Sequence, residues 1–173
     1  MPLRSLAVWL FAALIFAGCG FHLRGGQSAA LPYPTFYIAL PETAEVRIWL
    51  ERYINAGGGT TLVNSAREAA ATFQQLEDNR QKTILSVNAQ GRIQEYRLQM
   101  TYRFRLVNAK GQEIVAPNEL SLSRDLTYDD SNVLAKDQEE RLLWRDMTSE
   151  AVSQIMRRLA LIQPQDPDRE EAD

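Results

Sequence analysis

Reactive and metal-binding side chains are scarce in this sequence of 173 residues. It contains one cysteine, Cys19, and one histidine, His22. A single cysteine excludes an intramolecular disulfide and a cysteine-rich metal site. A single histidine excludes most zinc sites and most Ser-His-Asp triads. A metal half-site at the Cys19–His22 pair would lack further ligands of the same kind.

Basic residues do not outnumber acidic ones: the chain has 19 lysines and arginines and 22 aspartates and glutamates. The formal net charge is −3, which argues against a nucleic-acid-binding protein. Hydrophobic residues make up 45% of the chain and charged residues 24%, which is ordinary globular composition. The length fits one domain with a substantial core. The composition therefore predicts a single globular domain that does not bind nucleic acid.

The apolar run at the N-terminus is short. It extends from Leu6 to Gly18 and follows the basic residue Arg4. A transmembrane helix needs about 20 apolar residues, whereas a signal-peptide core needs fewer. We therefore expect residues 1–18 to be a secretion signal.

The residues around Cys19 resemble a bacterial lipobox. The run "IFAGC" has small residues before the cysteine, although Phe16 stands where leucine is commoner. Cleavage before Cys19 would make it the first residue, carrying S-diacylglycerol and an N-acyl chain, and two or more chains anchor a protein stably. Gly20, rather than aspartate, follows the cysteine, and this favours the outer membrane. The alternative is an ordinary signal peptide with a chance cysteine.

The first half of the mature chain predicts a tether, a strand and a helix. Residues 19–34 contain glycines and prolines, which favour a tether over regular structure. The β-branched and aromatic run of residues 35–40 predicts a strand. Thr43 is a candidate N-cap for a helix that ends at the glycines of residues 55–59.

The alternation of apolar and polar residues is clearest in residues 93–108. Apolar side chains occupy every second position from Tyr96 to Leu106, which predicts a strand with one buried face. The runs "NAQGR" (88–92) and "NAKGQ" (108–112) predict hairpin turns on either side. A long strand before the first turn and another over residues 119–128 complete the sheet, with Pro117 predicting a bulge or an edge position.

The last helix is predicted to follow the capping residues 129–132. Its core stripe has helical spacing. The stripe consists of Thr148, Val152, Ile155, Leu159 and Ile162. Residues 164–173 are acidic and contain proline, which predicts a disordered tail.

The element order β-α-β-β-β-α predicts an α+β fold over residues 35–163. The economical architecture is a two-layer sandwich, in which a four-stranded, mostly antiparallel sheet carries both helices on one face. The opposite face then exposes Arg97, Arg103 and Arg105. These arginines form either a solvated sheet surface or a candidate ligand or partner face.

Three segments together resemble the LptE family of outer-membrane lipoproteins. They are "AGCGFHLRG", "EYRLQMTYRFRL" and "DDSNVLAKDQEE", and the similarity extends from the lipobox to the end of the last helix. The resemblance implies a non-enzymatic protein that plugs the outer-membrane β-barrel LptD. It also implies lipopolysaccharide binding during insertion of that lipid into the outer leaflet, without a cofactor other than the covalent lipid at Cys19.

The resemblance also implies a ligand site. One basic position of the family is present as Lys136, for which the alternative is a solvated lysine at a helix start. The second basic position falls in the turn before "EY", where this chain has Ala89, and Arg92 is the candidate substitute. Lipopolysaccharide carries phosphates and acidic sugars, which favour lysine and arginine as partners.

Two other functional classes remain open from the sequence. A lipoprotein facing the periplasm could bind another anionic glycan or a peptide. A lipid-anchored hydrolase could use Asp125, Asp129 and Asp130, although carboxylates beside a helix start are more often caps. The spacing of these aspartates does not fit a calcium loop, and no phosphate loop or HExxH motif occurs.

Overall fold

The computed structural model describes residues 30–162. The predicted signal peptide, Cys19, His22 and the acidic tail lie outside these residues. The elements in chain order are β1 (Thr35–Ile38), α1 (Glu45–Gly57), β2 (Thr61–Leu62), β3 (Ala71–Val87), β4 (Ile93–Val107), β5 (Glu113–Thr127), a 3₁₀ turn (Asp130–Asn132) and α2 (Val133–Leu161).

The strands form one five-stranded sheet in the order β2-β1-β3-β4-β5. β1 pairs in parallel with both β2 and β3, whereas β3–β4 and β4–β5 are antiparallel. The α+β class agrees with the prediction. The prediction of a four-stranded, mostly antiparallel sheet was wrong, because the sheet has five strands and contains two parallel and two antiparallel pairs. β2 has two residues, too few to show an alternating pattern. The helical crossover through α1 returns the chain in the same direction, which makes the β1–β2 pair parallel.

The core lies between the sheet and both helices. The alternating residues of β4 from Leu98 to Leu106 are buried as predicted, whereas Tyr96 is only partly buried. Phe104 stacks on Phe73 of β3 with ring centroids 5.4 Å apart. Leu50 of α1 and Val152 of α2 have no exposed surface and belong to the same cluster. Both helices therefore pack on one face of the sheet.

The packed domain begins before β1. Leu31 and Tyr33, which fall in the segment predicted as a tether, are only 6% and 3% exposed and contact the core. The prediction of Thr43 as the first N-cap was wrong. Ala44 holds that position, because a turn in which Ala44 N–H donates to the Pro41 carbonyl over 2.9 Å precedes the helix.

The two predicted hairpin turns share one geometry. In each, the first asparagine side chain accepts hydrogen bonds from two later backbone N–H groups, over 2.9–3.0 Å. Gly91 and Gly111 adopt φ angles of 75° and 82°, the left-handed region in which glycine lacks the steric penalty of other residues. The turn at 88–92 joins β3 to β4, and the turn at 108–112 joins β4 to β5 at the opposite end of the sheet.

Pro117 lies in an edge strand, as its sequence position predicted. β5 is the last strand of the sheet, and its register with β4 shifts between Phe104 and Leu106. Proline lacks a backbone N–H, so a bulge in an edge strand accommodates it without breaking the sheet.

One end of the sheet lies beside the start of the last helix. We call it the distal end; it consists of the end of β3, the 88–92 turn, the end of β5 and the first turns of α2. Tyr128 N–H donates to the Gln94 carbonyl over 2.7 Å and joins these segments. In β3, no residue after Phe73 is buried. The distal end is therefore the part of the sheet whose surface is available to other molecules.

Candidate functional site

Arg92 lies at the base of the distal turn. Its backbone N–H donates to Asn88 Oδ1 over 2.9 Å, and its carbonyl accepts from Asn88 N–H over 2.8 Å. Ala89, the residue at the family's basic position, is exposed within the turn. The Arg92 side chain lines a cleft of about 520 Å³ together with Tyr128 and Asp129. Among residues 30–162, the Arg92 guanidinium has no ion-pair partner.

Lys136 lies in the first turn of α2, close to the same carboxylate. Its Nζ donates to Glu139 Oε2 over 2.8 Å, one helical turn later. The pKa of the Asp129 carboxyl is lowered, first by the hydrogen bond from Ser131 N–H at 2.9 Å and further by the charge of Lys136. The fold thus brings Arg92 and Lys136, the two residues predicted to contact the ligand, near the same carboxylate, Asp129.

The charge around these cations is balanced by acidic residues. Asp129 and Asp130 line the cleft with Arg92, and Glu139 forms an ion pair with Lys136. An anionic ligand at this cleft would therefore bind Arg92 directly, and at Lys136 it would compete with Glu139. The cleft lined by Arg92, Tyr128 and Asp129, which we call the distal cleft, therefore attracts anions only modestly by itself.

The predicted aspartate cluster is divided between two structural roles. Asp129 is the N-cap of the 3₁₀ turn, while Asp125 accepts two hydrogen bonds from Arg97, at 2.8 and 3.0 Å. The carboxylates thus serve as a cap and as an ion-pair partner. Among residues 30–162, no group of three or more His, Cys, Asp or Glu side chains is placed to hold a metal ion.

The arginines of the outer sheet face contact acidic residues of neighbouring strands. Arg105 Nη1 lies 2.7 Å from Glu113, and Arg103 lies 3.5 Å from Glu77. The pKa of the Asp125 carboxyl is lowered by the hydrogen bond from Arg97. Cross-strand pairs of this kind stabilise a solvated sheet without a ligand, and the candidate role of this face in binding remains a prediction.

Large apolar side chains are exposed at the distal end. Ile84 and Val87 of β3 are 58% and 55% exposed, and Leu134 of α2 is 71% exposed. Exposed apolar residues beside cations make this end amphipathic. Such a surface suits a ligand with charged and lipid parts.

Sequence reasoning missed a second group of cations beside the distal end. It lies in a groove between β3 and α2 that has a volume of about 560 Å³. The groove is lined by Glu45, Arg80, Lys82, Glu140, Arg141, Trp144 and Arg145. The spacing of Arg141 and Arg145, four residues apart on a predicted helix, was a signal that they share a face.

Comparison with known proteins decides the family. The profile of the LptE family, described as lipopolysaccharide-assembly, matches residues 33–159. This match spans most of the chain, from the buried Tyr33 to the last buried residue of α2, Leu159.

The chain belongs to the LptE family. A relative from Pectobacterium atrosepticum, named LPS-assembly lipoprotein LptE, is 25% identical over 156 residues, which cover 87% of this chain and 82% of the relative. Members of this family are non-enzymatic lipopolysaccharide-assembly lipoproteins and are not cofactor-binding proteins.

Solved structures share the fold of this LptE family member. Uncharacterized lipoprotein B from Nitrosomonas europaea aligns with a TM-score of 0.69 at 36% identity, covering 82% of this chain and 90% of that one. A minor lipoprotein from Acinetobacter baumannii aligns with a TM-score of 0.62 at 27% identity, covering 75% and 92%. Within residues 30–162, neither helix has a stretch both long and apolar enough to cross a bilayer.

Proposed function

We propose that this protein is a lipid-anchored assembly factor that occupies the LptD barrel and binds lipopolysaccharide during its insertion into the outer leaflet. Membership of the LptE family is the observation that carries this proposal. The anchor is acylated Cys19, which holds the domain at the periplasmic side of the outer membrane. Two or more acyl chains give stable retention where one would not.

The distal end is the part of the domain that we assign to lipopolysaccharide. Its cations Arg92 and Lys136 both lie near Asp129, and its exposed residues Ile84 and Leu134 provide apolar surface. Phosphates would contact the cations, and acyl chains would contact the apolar side chains. The substitution of Ala89 for a basic residue is compensated by Arg92, which lines the cleft at the base of the same turn.

Co-purification with the barrel tests the first half of the proposal. The tagged lipoprotein is expressed in a bacterium from which the resident family member is depleted. We expect a large outer-membrane barrel to co-purify with it and surface lipopolysaccharide to be restored. If no barrel protein is recovered and surface lipopolysaccharide is normal under depletion, the protein is instead a lipoprotein for another anionic glycan or peptide.

Charge reversal at Lys136 tests the second half. Lys136→Asp places a carboxylate beside Asp129 and Glu139, so we expect lipopolysaccharide binding to weaken about tenfold or more while the fold is retained, since one tenfold step corresponds to about 1.4 kcal/mol. Arg157→Asp is the matched control, because Arg157 is exposed on the same helix at the other end. Equal affinities of the two variants would place the ligand elsewhere.

The lipid anchor has its own test. Cys19→Ala removes the sulfur that carries the diacylglycerol, so mass spectrometry should find no acylated form, and membrane retention should fall. A lipid-modified mass in this variant would contradict the assignment of Cys19.

A further inference from the structure

The groove between β3 and α2 lies beside the first residue of α1, Glu45, which also lines it. Arg80 and Lys82 pair in register with Met100 and Leu98, so they lie on the helix-facing side of β3. In the first part of β3 that side is occupied by buried Phe73, whereas at Arg80 and Lys82 it is open. A surface that would ordinarily be core is therefore the charged floor of a groove.

Positive charge is in excess in this groove. Four cations and two carboxylates line it, which gives a net charge of +2, and counting Asp78, which contacts Arg80 at 3.2 Å, still leaves +1. The whole chain carries −3. The groove is thus a local cationic site on an acidic protein, whereas the distal cleft contains Arg92 against two aspartates.

The cations of the floor, Arg80 and Lys82, and those of the wall formed by α2, Arg141 and Arg145, differ in their contacts. Lys82 Nζ lies 2.6 Å from Glu140, and Arg80 contacts Asp78 and the hydroxyl of Thr148. These bonds hold the floor in place. Arg80 and Lys82 therefore form a fixed surface rather than mobile charges.

The wall offers the cations that are available to a ligand. Arg141 and Arg145 are exposed, and among residues 30–162 neither side chain has an ion-pair or hydrogen-bond partner. They are one helical turn apart, so both guanidinium groups can approach one ligand. An anion that binds there competes with no existing ion pair, whereas an anion at Lys136 competes with Glu139.

Aromatic rings lie beside the cations of the floor. The guanidinium carbon of Arg80 is 5.9 Å from the centre of the Trp144 ring, and Lys82 Nζ is 4.2 Å from the centre of the Tyr96 ring. The indole N–H of Trp144 donates to Glu140 over 3.3 Å and fixes the ring in the wall. Aromatic surface provides apolar contact area with a polar edge, and cations provide contacts for acidic groups. This combination suits an acidic saccharide.

We propose that this groove binds the phosphate or carboxylate groups of a saccharide, as a second subsite for the sugar part of lipopolysaccharide. The inference relies on the proposed function for the identity of the ligand, and on the groove itself for its chemistry. Arg141 and Arg145 contact the acidic groups, and Trp144 contacts the sugar ring. The lipid part of the same ligand then lies toward the distal end.

Trp144 allows this subsite to be measured by itself. Outside the predicted signal peptide the chain has two tryptophans, Trp49 and Trp144, so Trp49→Phe leaves Trp144 as the fluorescent reporter. The full lipidated protein in detergent micelles is titrated with phosphorylated core oligosaccharide freed of lipid. We expect a saturable change in Trp144 emission that weakens as the salt concentration rises, because salt screens exposed charges.

Substitution of the wall arginines gives the decisive comparison. Arg141→Gln with Arg145→Gln should weaken oligosaccharide binding about tenfold, because both exposed charge contacts with the acidic groups are lost. Arg157→Gln, on the same helix but outside the groove, should bind like the parent protein. Circular dichroism confirms that the variants, all at exposed positions, are folded.

Three outcomes would overturn the inference. They are an absent Trp144 response, equal affinity after substitution of both arginines, and an equal response to an anion that is not a saccharide, either polyglutamate or inorganic phosphate. Binding of intact lipopolysaccharide, measured separately by co-sedimentation, keeps the proposals apart. If intact lipopolysaccharide binds but Trp144 does not respond, the groove assignment fails and the proposed function stands. If intact lipopolysaccharide does not bind, the proposed function fails, and the oligosaccharide titration still decides the groove.

Discussion

Thr148 connects the core to the groove, and its hydroxyl provides a quantitative test of that connection. The residue has no exposed surface. Its Oγ1 lies 2.9 Å from the Trp144 carbonyl, 3.3 Å from Glu45 Oε2 and 3.3 Å from Arg80 Nη2. One side chain thus joins α1, β3 and α2 where the groove begins.

The contribution of the hydroxyl follows from these contacts. A hydroxyl donates one proton, so it can bond either the Trp144 carbonyl or Glu45, while it accepts from Arg80. A typical hydrogen bond contributes about 0.5–1.5 kcal/mol net. The bond from Arg80 adds up to about 1 kcal/mol, less than a fully buried charged partner would, since the Arg80 and Glu45 side chains are 31% and 38% exposed and can be solvated. The gain from burying a methyl group in its place, about 0.8 kcal/mol, offsets part of the loss. We therefore expect Thr148→Val to lower the free energy of unfolding by about 1 kcal/mol.

A series of three variants separates the hydroxyl from the methyl group. Thr148→Ser keeps the hydroxyl and loses a methyl, at about 1 kcal/mol, and Thr148→Ala loses both, at about 2 kcal/mol. Urea unfolding followed by circular dichroism measures the differences, and each 1 kcal/mol should lower Tm by roughly 3–5 °C. If Thr148→Val is as stable as the parent while Thr148→Ser is not, the hydrogen bonds contribute nothing and the reasoning is refuted.

Two further predictions concern the sheet. The pKa of Asp125 is lowered because Arg97 donates hydrogen bonds to it. The pair therefore stabilises the fold above the ordinary pKa of the carboxyl, and this contribution is lost as the pH falls through the lowered pKa. In Arg97→Gln, NMR titration should show the Asp125 pKa returning toward its ordinary value, and an unchanged pKa would contradict the pair. Gly91 has a φ of 75° with open space where a Cβ would lie, so Gly91→Ala should cost about 1 kcal/mol from backbone strain alone. Ala89→Ser in the same turn is its control, and thermal unfolding that shows equal Tm values would exclude the strain.

Local patterns in the sequence predicted the elements that depend on local chemistry. The alternation in β4 identified its buried face, and the two NAxG turns identified both hairpins, because a positive φ and an asparagine side-chain bond are properties of a few adjacent residues. The helix stripe from Thr148 to Leu159 is buried as the 3.6-residue period requires. The edge of the sheet could not be predicted in this way, because β2 has two residues and β1 pairs according to the path of the chain through α1.

The candidate sites depend on contacts between distant segments. The partners of Arg103 and Arg105 lie on neighbouring strands, and register alone brings Glu77 and Glu113 beside them. The groove combines Glu45, Arg80 and Arg145 from three elements, so no single stretch of sequence displays it. The proximity of Asp129 to Lys136 was also hidden, since it depends on the path of the chain through the 3₁₀ turn.

The equivalent turns at the two ends of the sheet provide the most direct test of the central claim. Ala89 and Ala109 are exposed and hold the same position in turns of the same geometry, one distal and one at the opposite end. A photo-crosslinking amino acid is introduced at either position in living cells, and adducts are detected with antibodies against lipopolysaccharide. If lipopolysaccharide binds at the distal end, position 89 should give a lipopolysaccharide adduct and position 109 little or none. Equal adducts from both positions, or adducts from position 109 alone, would contradict it.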